Sequence, residues 1–542
     1  MREFSFTQAQ LEAIDYAKDA VITACPGSGK TTVMVEKVRK ALDELPSYQG
    51  IISITFTKKA ATELKKRCKG NAYNVKQSFF GTIDSFCLKE LIYPFLPHIW
   101  GKSKKEIVVK TRIDEELQNK YFGCGFSFEE ELKNIEVSKN SGIKDMYNDG
   151  ILCISTFPSL ALHVLRSSAA AKKYIQAKYK KLFIDEYQDS SEFQHKLFLE
   201  IKSLGLVTTV VGDIDQSIYS FRGGNPVLLQ SLVSDAINWK HFVLDENHRC
   251  HTSIQNYANR VLDKKAPIIE TEDLRIKRYL FTGDLVKAGE IVTGWMDTLF
   301  DKGLLKKASD LVILAKKESS LQYIAQGLKV KHRLFIKTPL ERIESRSSDL
   351  LSLLLAYRFG SIKTMRELYE LIESNLHVHQ LNYDRFISEI KSLVELSNDN
   401  FIGQLLNITD LLGLECSEIE INAVREILNN THLINVYKPE DPTEISLMTL
   451  HQSKGLEFRV VLHFDLEEWS FPHQEVINGD WDNIVFPDLE QETNLHYVGI
   501  TRASEFCCLI QVSERITSRG TSSVSRPSYF LGLPGLDGLY RS

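Results

Sequence analysis

From Ile22 to Thr32 the chain reads ITACPGSGKTT, a strand pattern that runs into a glycine-rich turn and then a helix. The spacing [AG]-x4-G-K-[ST] falls on Ala24, Gly29, Lys30 and Thr31, with Pro26, Gly27 and Ser28 inside the turn and Thr32 just beyond it. Backbone N–H groups of such a turn converge into an anion nest at the positive end of the helix that follows. Lys30 then reaches the terminal phosphates of a nucleoside triphosphate, and the Thr31 hydroxyl is a ligand for magnesium. A second group of chemistry-bearing residues follows the apolar run KLFI: in DEYQD, Asp185 and Glu186 sit at the carboxyl end of a strand, where open α/β sheets bind ligands. Asp185 suits a magnesium ligand, and Glu186 suits the group that orients or deprotonates the attacking water.

Further residues extend the pattern. VGDIDQSIYSFRGG combines Gln216, a candidate γ-phosphate sensor, with Tyr219, Phe221 and Arg222. Aromatic rings at that spacing either stack on unpaired bases or fill a core. In TFTKKAATELKKR, the hydroxyls of Thr55 and Thr57 flank Phe56 ahead of a basic helix, an arrangement that holds phosphates or is simply a solvated face. ENHRC places Arg249 after another strand, and TLHQSKGLEF and LHYVGITRA bring Lys454, Glu457 and Arg502. An arginine fork is the natural clamp on a transferring phosphoryl group.

The elements that must position these groups are strands alternating with helices. DAVITA, IISITF, SFFGT, KLFID and VTTVVGD form one set; HFVLDEN, LVILA, RLFIK, EISLMTL, RVVLHFDL and FCCLIQV form a second. Two parallel sheets flanked by helices, an α/β fold with two cores, is the economical solution. Each set is interrupted by a long helix-rich stretch, residues 86–165 and 341–440. The expected domains are therefore 1–85 with 166–240, and 241–340 with 441–542, each carrying one insertion. In the second insertion MRELYELIESNL and DRFISEIKSLVEL space their apolar residues as packed helices do.

A length of 542 residues allows several cores, and a net charge of −5 gives no global basic footprint, so any nucleic-acid contact is local. Nine cysteines are scattered without a C-x-x-C pair, which fits a reducing compartment and gives no zinc site. Cys25, inside the phosphate loop, reads as a small residue tolerated there. The opening MREFSFTQAQ has no secretory pattern and no apolar run approaches a membrane span, so a cytoplasmic location is expected.

The order and wording of the blocks resemble the UvrD/Rep/PcrA type of superfamily 1A DNA helicases. TQAQLEAI is similar to the family's Q motif, ACPGSGKTT to motif I, TFTKKAA to motif Ia, and DEYQD to motif II. VGDIDQSIYSFRGG, ENHR, MTLHQSKGLEF and YVGITRA are similar to motifs III to VI, and RPSYFLGLP to a terminal signature. The resemblance implies two RecA-like domains with ATP between them, magnesium, single-stranded DNA, and 3′ to 5′ movement. It assigns Gln10 to adenine, His248 to the place of a base-stacking tyrosine, and Lys30, Thr31, Asp185, Glu186, Gln216, Arg249, Glu457 and Arg502 to ATP. Thr55, Phe56, Thr57, Tyr219, Phe221, Arg222 and His451 fall among its DNA-facing residues. Departures are Ala24 for the usual first glycine, Phe221 for tryptophan, Asp84 for histidine, and Thr493 and Asn494 where basic residues usually stand. Both insertions are shorter than in full-size members. FCLKELIYPFLP and IKTPLERIES are most similar to the compact helicase-like subunits of Gabija antiphage systems, whose partner is an OLD-type ATPase-nuclease with a Toprim domain. A DNA-end-sensing regulatory ATPase and a repair helicase are the alternative readings.

Overall fold

The computed structural model describes all residues except 1–5, 71–72, 106, 111–112, 124–136, 138–140, 219–222, 344, 377–382, 392, 481–482 and 517–521. The chain divides into two units, Met1–Arg249 and Cys250–Ser542.

The first unit is built on six parallel strands: β1 (Ala20–Ala24), β2 (Gly50–Ile54), β3 (Phe79–Gly81), β4 (Tyr179–Ile184), β5 (Val207–Gly212) and β6 (Lys240–Leu244). Their order is β3-β2-β4-β5-β1-β6. Alternation along the strands divides their apolar residues between two cores. Val21, Ile52, Leu182 and Val210 join one, while Ile22, Ile51, Phe183 and Val211 join the other. The second core is closed by helix α2 (Lys30–Glu44), which buries Val33, Val38, Ala41 and Leu42. Helix α1 (Gln8–Asp15) lies against α2 because the buried Lys37 ammonium donates to the carbonyls of Ala13 and Tyr16. Burial pulls that lysine down to about 8. The first core continues into the insertion, where the helical run Ile83–Trp100, π-wound at Cys87–Ile92, packs Phe86 and Leu91 against Phe157 and Leu160.

One strand lies elsewhere than its sequence context suggests. HFVL was expected to open the second core, yet as β6 it pairs with β1 from Ala20↔Lys240 to Ala24↔Leu244. Apolar patterning identifies a strand but not its sheet. The second sheet fills its edge instead with β7 (Ile276–Phe281), followed by β8 (Leu311–Ala315), β9 (His332–Leu334), β10 (Ile445–Thr449), β11 (Phe458–His463) and β12 (Ala503–Val512). Their order is β9-β10-β8-β11-β12-β7, again parallel throughout. The chain leaves this sheet after β9 and returns at β10, the neighbouring strand. Between them lie helices with a leucine-rich core of their own, including Leu350, Leu354, Leu368, Phe386, Phe401 and Val424. Buried Arg333 closes the base of this excursion, donating to the carbonyls of Lys438 and Pro439 and pairing with Glu444 at 3.1 Å.

Candidate active site

The phosphate loop leaves β1 at Ala24 and enters α2 at Lys30. Gly27 and Gly29 both adopt left-handed backbone, at φ of 74° and 80°, which turns successive N–H groups toward one concavity. The loop is held from outside. Gln10 is buried; its Nε2 donates to the Ser28 carbonyl at 2.9 Å and its Oε1 accepts the Thr7 N–H at 2.9 Å. The side chain expected to read a base thus braces the loop and closes the capping box of α1. Ser28 Oγ donates to Cys25 O, and Pro26 is buried beneath the turn, while Thr31 and Thr32 remain partly exposed. On the far side runs the segment after β6. Cys25 N–H donates to Leu244 O and His248 N–H to Gly27 O, at 3.0 and 3.1 Å, and Arg249 N–H donates to Asn247 Oδ1 at 2.8 Å. A Cβ on Gly27 would fall 2.5 Å from Arg249 Cβ. His248 and Arg249 are therefore neighbours of the phosphate loop within the first unit. Asn247, which sequence reasoning passed over, is the residue that shapes their turn.

Three further strand ends of this sheet carry the polar groups singled out in the sequence, and one of them meets the lysine. Lys30 Nζ pairs with Asp213, just beyond β5, at 3.1 Å and approaches Ala24 O at 3.4 Å. Gln216 Nε2 donates to the same Asp213 oxygen. The amide expected to sense the γ-phosphate and the lysine expected to bind phosphate thus share one carboxylate, 4 % exposed. Neighbouring Asp215 is pushed up to about 6 by burial and by the charge of Asp213, with Lys30 opposing. Beyond β4, Asp185 N–H donates to Ile54 O, and the Asp185 carboxylate accepts the Glu186 N–H at 3.0 Å. Glu186 itself is left-handed, at φ 55°. At the end of β2, buried Thr55 donates to Thr57 O, and Thr57 caps helix α3 (Lys58–Lys69), leaving Phe56 partly exposed between them. Tyr219, Phe221 and Arg222 lie outside the described residues.

In the second unit Arg502 is 1 % exposed. Its Nε donates to Val498 O, Nη1 to Leu456 O and Nη2 to Thr501 Oγ1, at 3.0, 3.1 and 3.3 Å. The guanidinium expected to clamp phosphate also ties helix α4 (Leu489–Ile500) to the turn after β10. That turn carries the partly exposed His451 and the exposed Glu457.

Residues 8–222 match the family model of an AAA domain, and residues 342–514 match that of the UvrD-like helicase C-terminal domain. The chain belongs to the UvrD-like helicases. It is 28 % identical to the Gabija protein GajB of Bacillus cereus (strain VD045), over 91 % of this chain and 93 % of that one. It is 23 % identical to the ATP-dependent DNA helicase PcrA of Staphylococcus aureus (strain MRSA252), over 94 % of this chain and 83 % of the relative. The PcrA of Staphylococcus epidermidis matches at 23 % over the same shares. The first unit thus brings a glycine-rich turn at a helix start together with a lysine and a carboxylate. Magnesium needs just one or two protein oxygens beside phosphate and water, so the residues expected to hold it, Thr31 and Asp185, are of a type that fits, and the described residues contain no group of three or more His/Cys/Asp/Glu that could hold a metal. No described helix is long and apolar enough to cross a membrane. Asp213, Asp215 and Gln188 are members of this UvrD-like site that the sequence reading did not single out. Their only signal was position, one to four residues past a strand end.

Proposed function

We propose that this chain is an ATP- and magnesium-dependent DNA translocase or helicase, stimulated by single strands or DNA ends and moving 3′ to 5′, that serves antiphage defence beside an OLD-type ATPase-Toprim nuclease. The observation that carries the enzymatic part is the chain of contacts from Lys30 through Asp213 and Gln188 to Glu186, which connects a phosphate-binding lysine to a carboxylate placed to accept a proton. Lys30 and the loop amides bind the triphosphate, and Glu186 orients the attacking water and takes its proton. Magnesium, held by Thr31 and Asp185, neutralises charge on the phosphates. Gln216 and Arg249 respond to the γ-phosphate, and hydrolysis also requires Arg502 of the second unit. Phe56, His451 and the segment 219–222 serve the DNA strand. The defence assignment rests on the likeness to a Gabija protein along nine-tenths of both chains.

A second reading is a regulatory ATPase that senses DNA ends and activates the nuclease with little unwinding. It is favoured by the alignment with PcrA, which spreads 94 % of this chain over 616 positions because the helicase is the longer protein. Steady-state ATPase assays with single-stranded DNA test the shared part: Lys30→Ala abolishes turnover, and normal hydrolysis by that variant refutes the proposal. Strand displacement on 3′-tailed duplexes, with and without the nuclease, separates the readings. Robust unwinding by the isolated chain supports the helicase.

A further inference from the structure

Gln188 is fully buried, two residues beyond the carboxylate assigned as base. Its Nε2 donates to Glu186 Oε2 at 2.5 Å, and its Oε1 accepts the Asp213 N–H at 3.0 Å. Only one orientation of the amide serves both neighbours, because a carboxylate can only accept and a backbone N–H can only donate. Gln188 therefore links the ends of β4 and β5 side chain to backbone. Two further features fix it there. Its own carbonyl accepts from Ser217 Oγ at 3.5 Å, and Gly212 leaves it room: a Cβ on that glycine would fall 2.8 Å from Gln188 Oε1. The carboxylate it holds belongs to a residue with left-handed backbone, a conformation that persists only where the surroundings impose it.

We propose that Gln188 is a positioning residue for ATP hydrolysis: it fixes the Glu186 carboxylate and couples its placement to Asp213, the residue that holds Lys30. This inference rests on the ATPase reading above. A phosphate that draws Lys30 away from Asp213 releases the end of β5, and the Gln188 amide passes that displacement to Glu186. Binding of nucleotide and alignment of the base are joined through one side chain that touches neither substrate nor metal.

The test is the pair Gln188→Met and Gln188→Glu, assayed for kcat, KM and direct affinity for a fluorescent ATP analogue. Gln188→Met removes both hydrogen bonds at similar volume; it lowers kcat about 10- to 100-fold, the range for losing a charge-assisted bond, while affinity and KM stay within about threefold. Gln188→Glu keeps an acceptor for Asp213 but sets a second carboxylate against Glu186, so it lowers kcat at least as far. Gly212→Ala, which leaves Gln188 in the sequence but crowds its amide, lowers kcat to an intermediate value and provides the test should Gln188→Met not fold. Unchanged kcat in Gln188→Met overturns the proposal, as does a loss of nucleotide affinity that parallels the loss of kcat. A wild-type chain that binds the analogue but hydrolyses no ATP overturns the ATPase reading and this inference together.

Discussion

His463, the last residue of β11, and His496, in α4, form a fully buried pair that departs from neutrality at a cost the structure allows to be worked out. His463 Nδ1 lies 2.9 Å from Phe464 O, a carbonyl that can only accept, so that nitrogen carries the proton. His463 Nε2 must then accept from His496 Nδ1–H, 3.0 Å away. A second proton on His463 would make His496 give up its Nδ1 proton or set two donors face to face, and in either case it would bury a charge out of reach of solvent. Phe530 stacks on His496 at 4.6 Å, and no solvent reaches either ring. Burial pushes His463 down to about 4; burial, then His463 and Arg278, push His496 well below its ordinary value. Both pKa values are lower in the folded chain than in the unfolded one, so the pair's contribution is complete above about pH 6.5 and is lost as pH falls from there toward 4. At pH 5 the unfolded His463 ring has bound a proton that the folded one refuses, about 1.5 pH units below the unfolded value, or about 2 kcal/mol, and His496 adds to the loss in the same direction. Urea unfolding of the wild type and of a His463→Leu/His496→Leu variant, at pH 7.5 and 5, measures this directly. The wild type should lose at least about 2 kcal/mol relative to the variant over that interval. A difference flat to within about 0.5 kcal/mol, or imidazolium ¹⁵N shifts for these rings in the wild type at pH 6, would refute the reasoning.

Three further outcomes follow from the site. Gly27→Ala places a methyl against Arg249 and Asn247 in left-handed backbone, a strain of about 1 to 2 kcal/mol before the clash, and should weaken ATP-analogue binding by at least about tenfold in a fluorescence titration. Gln10→Ala removes the brace on Ser28 O and half of the α1 capping box. It should cost about 1 kcal/mol in thermal unfolding and raise the KM for ATP, with GTP affected equally if Gln10 reads no base. Arg502→Lys keeps the charge but not the three-way fork, so it should lose turnover nearly as completely as Arg502→Ala while retaining ATP binding; near-normal kcat in the lysine variant would contradict the buried geometry.

What the sequence made legible was local. The loop from Ala24 to Thr31, the carboxylates after KLFI and the arginine-bearing blocks are contiguous strings whose chemistry can be read without knowing their neighbours. The two α/β cores were legible for the same reason, since buried parallel strands such as LVILA are written as apolar runs. What stayed hidden depends on partners distant in the chain. Nothing in HFVL says that it docks beside β1 rather than in the second sheet. IKRYLF escapes notice as β7 because an edge strand tolerates charged and exposed positions, and Leu280 within it is 58 % exposed. Gln188 and Asp213 are 25 residues apart, and His463 and His496 are 33 apart. Such pairs exist only once the strands have brought them together.

The seat of the second insertion has an evolutionary consequence. Parallel neighbours always require a crossover, and β9 and β10 are parallel neighbours, paired from His332↔Ile445 to Leu334↔Leu447. The roughly 110 residues between them occupy a connection that about a dozen residues would satisfy, and the extra closure entropy is only about 2 kcal/mol because it grows with the logarithm of length. Arg333 gathers the returning chain at the base, and the leucine core above it is self-contained. Length can therefore be gained or lost beyond that guanidinium without disturbing a single strand register. The site-bearing sheet is insulated from experiments in appendage size, and related chains are free to diverge there first.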